Sequence, residues 1–309
     1  METVLPRRRR LIAPGCLLAL VILAVAPGLA QRDAPPGDLA ATLARASGRV
    51  EEYFARAQSL VCIETVIIQP LNSSLTGDGV GRVVESELRL SWEPGEDGEP
   101  SGEAQTRRQV IKVNGGRPRA KDHNNCTGPE QNETETQPLS MLLASQRDDY
   151  AFSWAGRGRV DKRDALMIDF REVTPLRVDV TAVANNEDCV SWTVTGGGRG
   201  RLWLDAESFD VLRLDQRLGG QVEVPLPKAV ARRAGAVRVW TMERHDTSYR
   251  FKRVAFTAPD ETIVLPVSST SLRVTAGSGT PRLRVTTAYK NYKRFLTGGR
   301  LVPGDAAPP

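Results

Sequence analysis

Hydrophobic positions in this chain follow two periods, first a helical one and then, for most of its length, an alternating one. From Asp38, the residues Leu39, Leu43, Ala46, Val50, Tyr53 or Phe54, and Ala57 recur every three to four positions and form one apolar stripe. Asp38 stands where its carboxylate can accept from the first free N–H groups of a helix. An amphipathic helix is predicted there. Beyond it, Leu60 to Gln69 turns to β-branched residues, and Val84, Ser86, Leu88, Leu90 and Trp92 alternate against Glu85, Glu87, Arg89 and Ser91. That period of two predicts strands with one dry face and one wet face.

The same reading continues to the C-terminus. Gln109 to Val113 runs into the turn Asn114-Gly115-Gly116. Tyr150, Phe152 and Trp154 alternate, turn through 156–164 and return as Leu166, Ile168 and Phe170. Val190, Trp192 and Val194 lead into the clearest signal, Gly196 to Leu218, where Leu202, Trp203 and Leu204 precede a polar turn at Asp205 to Ser208 and Val211, Leu212 and Leu214 follow it. Two apolar runs around a tight polar turn predict an antiparallel hairpin. Alternation puts Trp203 on the face opposite Leu202 and Leu204. Four more strands are expected at Val237 to Arg244, Tyr249 to Phe256, Thr262 to Val274 and Leu283 to Tyr292. Residues 93–103 read as a loop, 117–136 as a long polar loop, 138–146 as a short helix, and 221–234 as either loop or short helix. The fold class is mainly β with few helices (α+β), its sheet antiparallel.

The N-terminus adds a compartment. Arg7 to Arg10, an apolar run from Leu11 to Ala26, and small residues at Gly28 and Ala30 predict a secretory signal over 1–30, cleaved after Ala30. Residues 31–37 form a flexible leader, 38–296 a single domain, and 297–309 a disordered tail. Cleavage removes Arg7 to Arg10 and Glu2, which takes Lys plus Arg from 42 to 38, Asp plus Glu from 37 to 36, and the formal charge from +5 to +2. The basic excess that would suggest a nucleic-acid partner therefore belongs mostly to the export signal, and no nucleic acid is expected. No transmembrane segment is expected after signal cleavage, and the predicted location is the periplasm or the extracellular space.

Export permits disulfides. Of the three remaining cysteines, Cys62 sits in an apolar run and reads as a small buried residue, whereas Cys126 and Cys189 lie in polar surroundings. If the strands at 60, 84, 109, 150 and 166 form a simple meander, Cys126 and Cys189 fall at one end of the sheet. This favours a Cys126 to Cys189 disulfide.

Catalytic chemistry finds little footing. His123 and His245 stand in no metal-ligand spacing and read as surface histidines. Asp205, Glu207 and Asp210 cluster at a turn, where such residues ordinarily bond to the backbone. Ser191 and Ser208 lack a nucleophile context, and Gly196 to Gly198 precede a strand where a phosphate cradle needs a helix. No catalytic residue, metal or cofactor is assigned, and no enzymatic activity is expected.

The strand ending in leucine and aspartate, the turn, and the returning strand with arginine and carboxylate, GRGRLWLDAESFDVLRLDQ, resemble the recurring hairpin of the periplasmic lipoprotein-carrier superfamily. The helix from Asp38 followed by the strand at Leu60 is similar to the way those proteins begin. The VNGGRP turn and the TTAYKNYKRF strand look like exported bacterial proteins of acidobacterial type with this fold. The resemblance implies a large curved antiparallel sheet or half-barrel, with the N-terminal helix on its concave face and an acyl or other apolar group held in that concavity. Leu88, Leu90, Trp92, Phe152, Trp154, Ile168, Phe170 and Trp192 mark apolar strand faces and are the candidate lining of such a cavity. The partners expected are a lipid or acyl ligand, or else an envelope protein contacted by a structural module with a filled core.

Overall fold

The computed structural model describes residues 37–57, 59–91, 103–119, 132–183, 186–226, 228–233, 235, 238–257, 259–276, 282–296 and 300–306. Helix α1 (Leu39–Arg56) starts where the apolar stripe starts, with Asp38 Oδ1 accepting from the Ala40 N–H at 3.0 Å. Its stripe is buried through Leu43, Ala46, Val50, Tyr53 and Phe54.

The strands follow in chain order. They are β1 (Ser59–Pro70), β2 (Arg82–Ser91), β3 (Glu103–Val113), β4 (Asn132–Thr136), β5 (Tyr150–Val160) and β6 (Arg163–Glu172). Next come β7 (Arg177–Val183), β8 (Asn186–Thr195), β9 (Gly198–Asp205), β10 (Val211–Leu218) and β11 (Val222–Pro225). After the short helix α2 (Lys228–Arg233), β12 (Val239–Thr257), β13 (Asp260–Ala276), β14 (Arg282–Leu296) and β15 (Arg300–Ala306) end the chain.

One antiparallel sheet takes the order β4-β3-β2-β1-β14-β13-β12-β10-β9-β6-β5, with β11 and β15 paired alongside, while β7 and β8 form a separate hairpin. The edges β4 and β5 do not pair with each other, so the sheet is not closed into a barrel. Alternation sorts its side chains. Leu60, Leu88, Ile168, Leu202, Leu204, Leu214 and Phe251 join the stripe of α1 in the main core. A run across Leu139, Met141, Leu142 and Leu143 completes that cover.

Several expectations are corrected. The strands at 60, 84, 109, 150 and 166 do not form a simple meander: β1 takes β14 as its second neighbour, and the chain crosses from the β4 edge to the β5 edge. The crossing is made by the apolar run at 139–143, which buries against α1 on its way. With successive residues buried from Leu139 to Leu143, this run has no polar face to offer a helix, and it folds as 3₁₀ turns at Ser140–Leu142 and Arg147–Asp149. The parity argument for a Cys126 to Cys189 bridge loses its premise. Cys126 and the side chain of Cys189 lie outside the described residues.

The long turn expected over 156–164 is only two residues, Asp161 and Lys162, both at positive φ (47° and 69°), the geometry that continues strand twist through a tight hairpin. Gly156, at φ 106°, takes up the register break that lets β5 run on past Trp154. β12 is one strand where two were expected. The polar loop contains β4, paired with β3, and the tail contains β15, paired with β14 and β12. Backbone ladders recruit such segments without an apolar pattern, whereas β7 does alternate through Val178, Val180 and Ala182, a signal the sequence reading passed over. Residues 1–30 lie outside the described residues.

Candidate functional site

The ladder registers place every second residue of β5, β6, β9, β10, β12 and β13 on the face away from α1. Three cross-strand rows result. One runs Ser153, Asp169, Arg201, Asp215, Ser248, Thr270. The next runs Ala151, Arg171, Arg199, Arg217, Asp246, Leu272. The third brings Met167, Trp203, Arg213 and Arg250 side by side. The first two rows, with Trp203 of the third, floor a groove of about 960 Å³, within the range of roughly 300–1,000 Å³ that holds small ligands.

Charge is distributed unevenly along these rows. In the first, signs alternate, and Arg201 donates to both oxygens of Asp169 at 2.6 and 3.0 Å. Asp215 accepts from Arg213 at 2.8 and 2.6 Å and from Ser248 Oγ at 2.6 Å. Asp246 is taken by Arg244, 2.6 Å from its Nε. Each carboxylate of the groove is thus already held by an arginine outside the second row. Arg171, Arg199 and Arg217 are exposed, stand opposite one another on β6, β9 and β10, and make no ion pair or side-chain hydrogen bond among the described residues. Directly opposed like charges cost a sheet a few tenths of a kcal/mol to about 1 kcal/mol each.

Trp203 supplies the apolar part of the floor. Its ring lies under the guanidinium of Arg213, 4.5 Å from the centroid, with Arg201 at 5.9 Å. It packs against Val160, Ala165 and Leu212. Leu272 and the edges of Phe152 and Phe170 extend the apolar lining.

Several solved structures are distantly similar to the chain. The chain is similar to a DUF1329 family protein from Desulfovibrio piger, at TM-score 0.39 and 12% identity over 84% of this chain and 94% of that one. It is similar to a domain from Vibrio parahaemolyticus assigned to outer membrane lipoprotein sorting, at TM-score 0.36 and 10% identity over 84% and 93%. A LolA superfamily protein from Nitrosomonas europaea gives 0.34 and 7% over 83% and 93%. No protein-family profile matches the sequence, and no curated protein sequence does.

On the face covered by α1 the candidate lining residues are packed. Leu88, Ile168 and Phe170 are buried in the main core, and Leu90, Phe152 and Trp154 pack against it half-buried. Trp92 and the side chain of Trp192 lie outside the described residues. A cavity of about 140 Å³ lies on that face beside Tyr53, Leu139, Tyr249 and Phe251. A charged pair is buried there, with Arg108 Nε donating to Glu64 Oε2 at 2.9 Å and both side chains almost fully buried. Cys62 lies beside them. Burial, reinforced by the Glu64 charge, pushes its thiol well above the usual range, so it is held as an unreactive thiol.

The turn carboxylates are structural. Burial pushes the Asp205 carboxyl up, but N–H bonds from Ser208 and Glu207, the Ser208 hydroxyl and Arg163 at 2.7 Å outweigh it and hold it below the ordinary value. Asp210 accepts from Arg49 of α1 at 2.9 Å, from Arg253 of β12 at 2.6 Å and from Ser208 Oγ at 2.9 Å. His245 corrects the expectation of a solvated side chain. It is partly buried on β12, and burial together with Arg273 pushes its pKa down to about 4 against the pull of Asp246. His123 lies outside the described residues. Among the described residues no His, Cys, Asp and Glu cluster could hold a metal ion, and no helix is long and apolar enough to cross a membrane.

The groove arginines escaped the sequence reading. Their signal was present in the alternation itself, as Arg199 and Arg201 on β9 and Arg213 and Arg217 on β10 occupy the positions that alternate with the buried Leu202 and Leu214. The wet faces carried the pattern.

Proposed function

We propose that this chain is an exported, non-enzymatic binding protein of the cell envelope that holds an elongated ligand with an apolar part in the groove opposite α1. The observation that carries this reading is the contrast in room: about 960 Å³ over Trp203 against about 140 Å³ beneath α1. Export is supported by the basic, apolar and small-residue succession of residues 1–30. The candidate lining on the α1 face then serves as the packed core that keeps the groove strands in register.

The test uses the chain from residue 31 and the uncharged fluorescent probe N-phenylnaphthylamine. The probe is expected to brighten on binding, Trp203→Ala to weaken it at least tenfold, and Trp154→Phe to leave it within twofold. Dependence on Trp154 with indifference to Trp203 would move the ligand to the α1 face. If no probe binds and no lipid copurifies, the second reading takes its place: a filled envelope module that meets a partner protein. That reading draws on the packed core and on the two sheet edges, β4 and β5, that no other strand covers among the described residues.

A further inference from the structure

We propose that Arg171, Arg199 and Arg217 form a binding site for a phosphate-bearing group, the polar end of whatever the groove holds. This rests on the groove being the ligand site. The three guanidiniums stand on adjacent strands, Arg171 opposite Arg199 and Arg199 opposite Arg217. Neighbouring strands lie about 4.8 Å apart, so the row spans on the order of 10 Å. Among the described residues none of the three has a counterion, because Asp169, Asp215 and Asp246 are held by Arg201, Arg213 and Arg244.

A row of like charges in direct register weakens the sheet that carries it. An anion bridging the row reverses that effect. The guanidinium fork matches paired oxyanion oxygens, and three forks in line suit a group that offers several, such as a phosphate monoester or diphosphate, better than a single carboxylate, which one fork saturates. The row is also closed at both ends, by Ala151 on β5 and by Asp246 on β12. That limits the site to one or two phosphates and does not fit a long polyanion. Trp203 and Leu272 lie beside the row and would take an attached apolar portion.

Calorimetry with sodium pyrophosphate at low salt, and cosedimentation with phosphatidylcholine vesicles with or without phosphatidic acid, test the proposal on the chain from residue 31. Pyrophosphate, the phosphatidic acid vesicles or both are expected to bind. Arg199→Gln should weaken that binding at least tenfold, and the Arg171→Gln/Arg199→Gln/Arg217→Gln variant should abolish it. Lys112→Gln, an equal loss of charge on β3 away from the groove, should leave it within twofold. The triple variant should melt no lower than the parent without ligand, and the single Arg171→Gln variant gives the same readout with less change. Binding of pyrophosphate alone assigns a free phosphate ligand, binding of the vesicles alone a lipid head group, and binding of both the chemistry they share. The proposal is overturned if neither binds, if Arg199→Gln binds like the parent, or if Lys112→Gln loses as much. N-phenylnaphthylamine separates the two readings. If it still binds through Trp203 while both phosphate probes fail, the groove survives as the ligand site and the phosphate assignment falls.

Discussion

His245 shows what burial does to a single side chain in this protein. It stands opposite Arg273 on β13, in a setting that disfavours the imidazolium, so its pKa falls from the model-peptide 6.5 to about 4. The sign follows directly. As pH drops below 6.5 the unfolded chain takes up the proton first, and the stability present above 6.5 is lost progressively down to about 4. Asp205 acts in a lower window, because its folded pKa lies beneath the ordinary carboxylate value and its contribution is lost only as pH falls past that point. Thermal melts from pH 7 to about 2 should therefore show a falling midpoint, and His245→Gln should flatten that fall between 6.5 and about 4 while keeping the loss below it. An unchanged slope in the variant would show that His245 titrates alike in both states. Nothing in the residues around 245 announces this burial, since ERHDTSY is polar throughout. It arises from neighbours that only the β12–β13 pairing supplies.

At the level of elements, the β9–β10 hairpin is tied to its surroundings through its turn. Phe209 accepts a φ of 61°, unusual for a large side chain, and its ring lies 5.0 Å beneath the Arg45 guanidinium of α1. Asp210, one residue on, joins α1 and β12 through Arg49 and Arg253. Its side chain is 2% exposed, but the two arginines are 39% and 40% exposed, so solvent screens part of their attraction. Asp210→Asn should cost about 1–3 kcal/mol, in keeping with the loss of charge-assisted hydrogen bonds. A lower urea midpoint at unchanged m-value is the expected reading, with amide exchange in α1 speeding up before that in β9. A variant as stable as the parent would reduce the contact to surface decoration. The hairpin itself, α1 and the strands at β1, β2 and β6 could all be read from periodicity, because each buries one face against a common core. The groove could not be read so directly. Arg171, Arg199 and Arg217 are unremarkable wet-face residues until register aligns them, and register between β6, β9 and β10 depends on turn lengths and on bulges such as that between Val211 and Arg213.

Across the whole molecule the decisive joint is β14 between β1 and β13. Leu60 lies opposite Arg294 and Pro70 opposite Leu283, so the first strand of the sheet waits for nearly the last. β14 also pairs with β13 from Ser268 opposite Ala288 to Val274 opposite Arg282. No pattern local to either strand foretells that partnership, which is why a meander is the natural expectation from the sequence and not the observed arrangement. Pairing so distant in the chain makes loop closure slow, and refolding is expected in the range of milliseconds to seconds that such topologies show. It also makes the end of the chain indispensable. A chain stopped at Ala276 lacks β14 and leaves two long unpaired edges in the middle of the sheet, the condition that drives edge-to-edge association. A chain stopped at Leu296 loses only β15 and keeps both ladders of β14. Expressed side by side, the shorter chain should aggregate, while the longer should keep the parent's far-ultraviolet spectrum and melt cooperatively within several degrees of it. A cooperative melt from the chain ending at Ala276 would show that the two parts of the sheet, β4-β3-β2-β1 and β13-β12-β10-β9-β6-β5, hold without their joint.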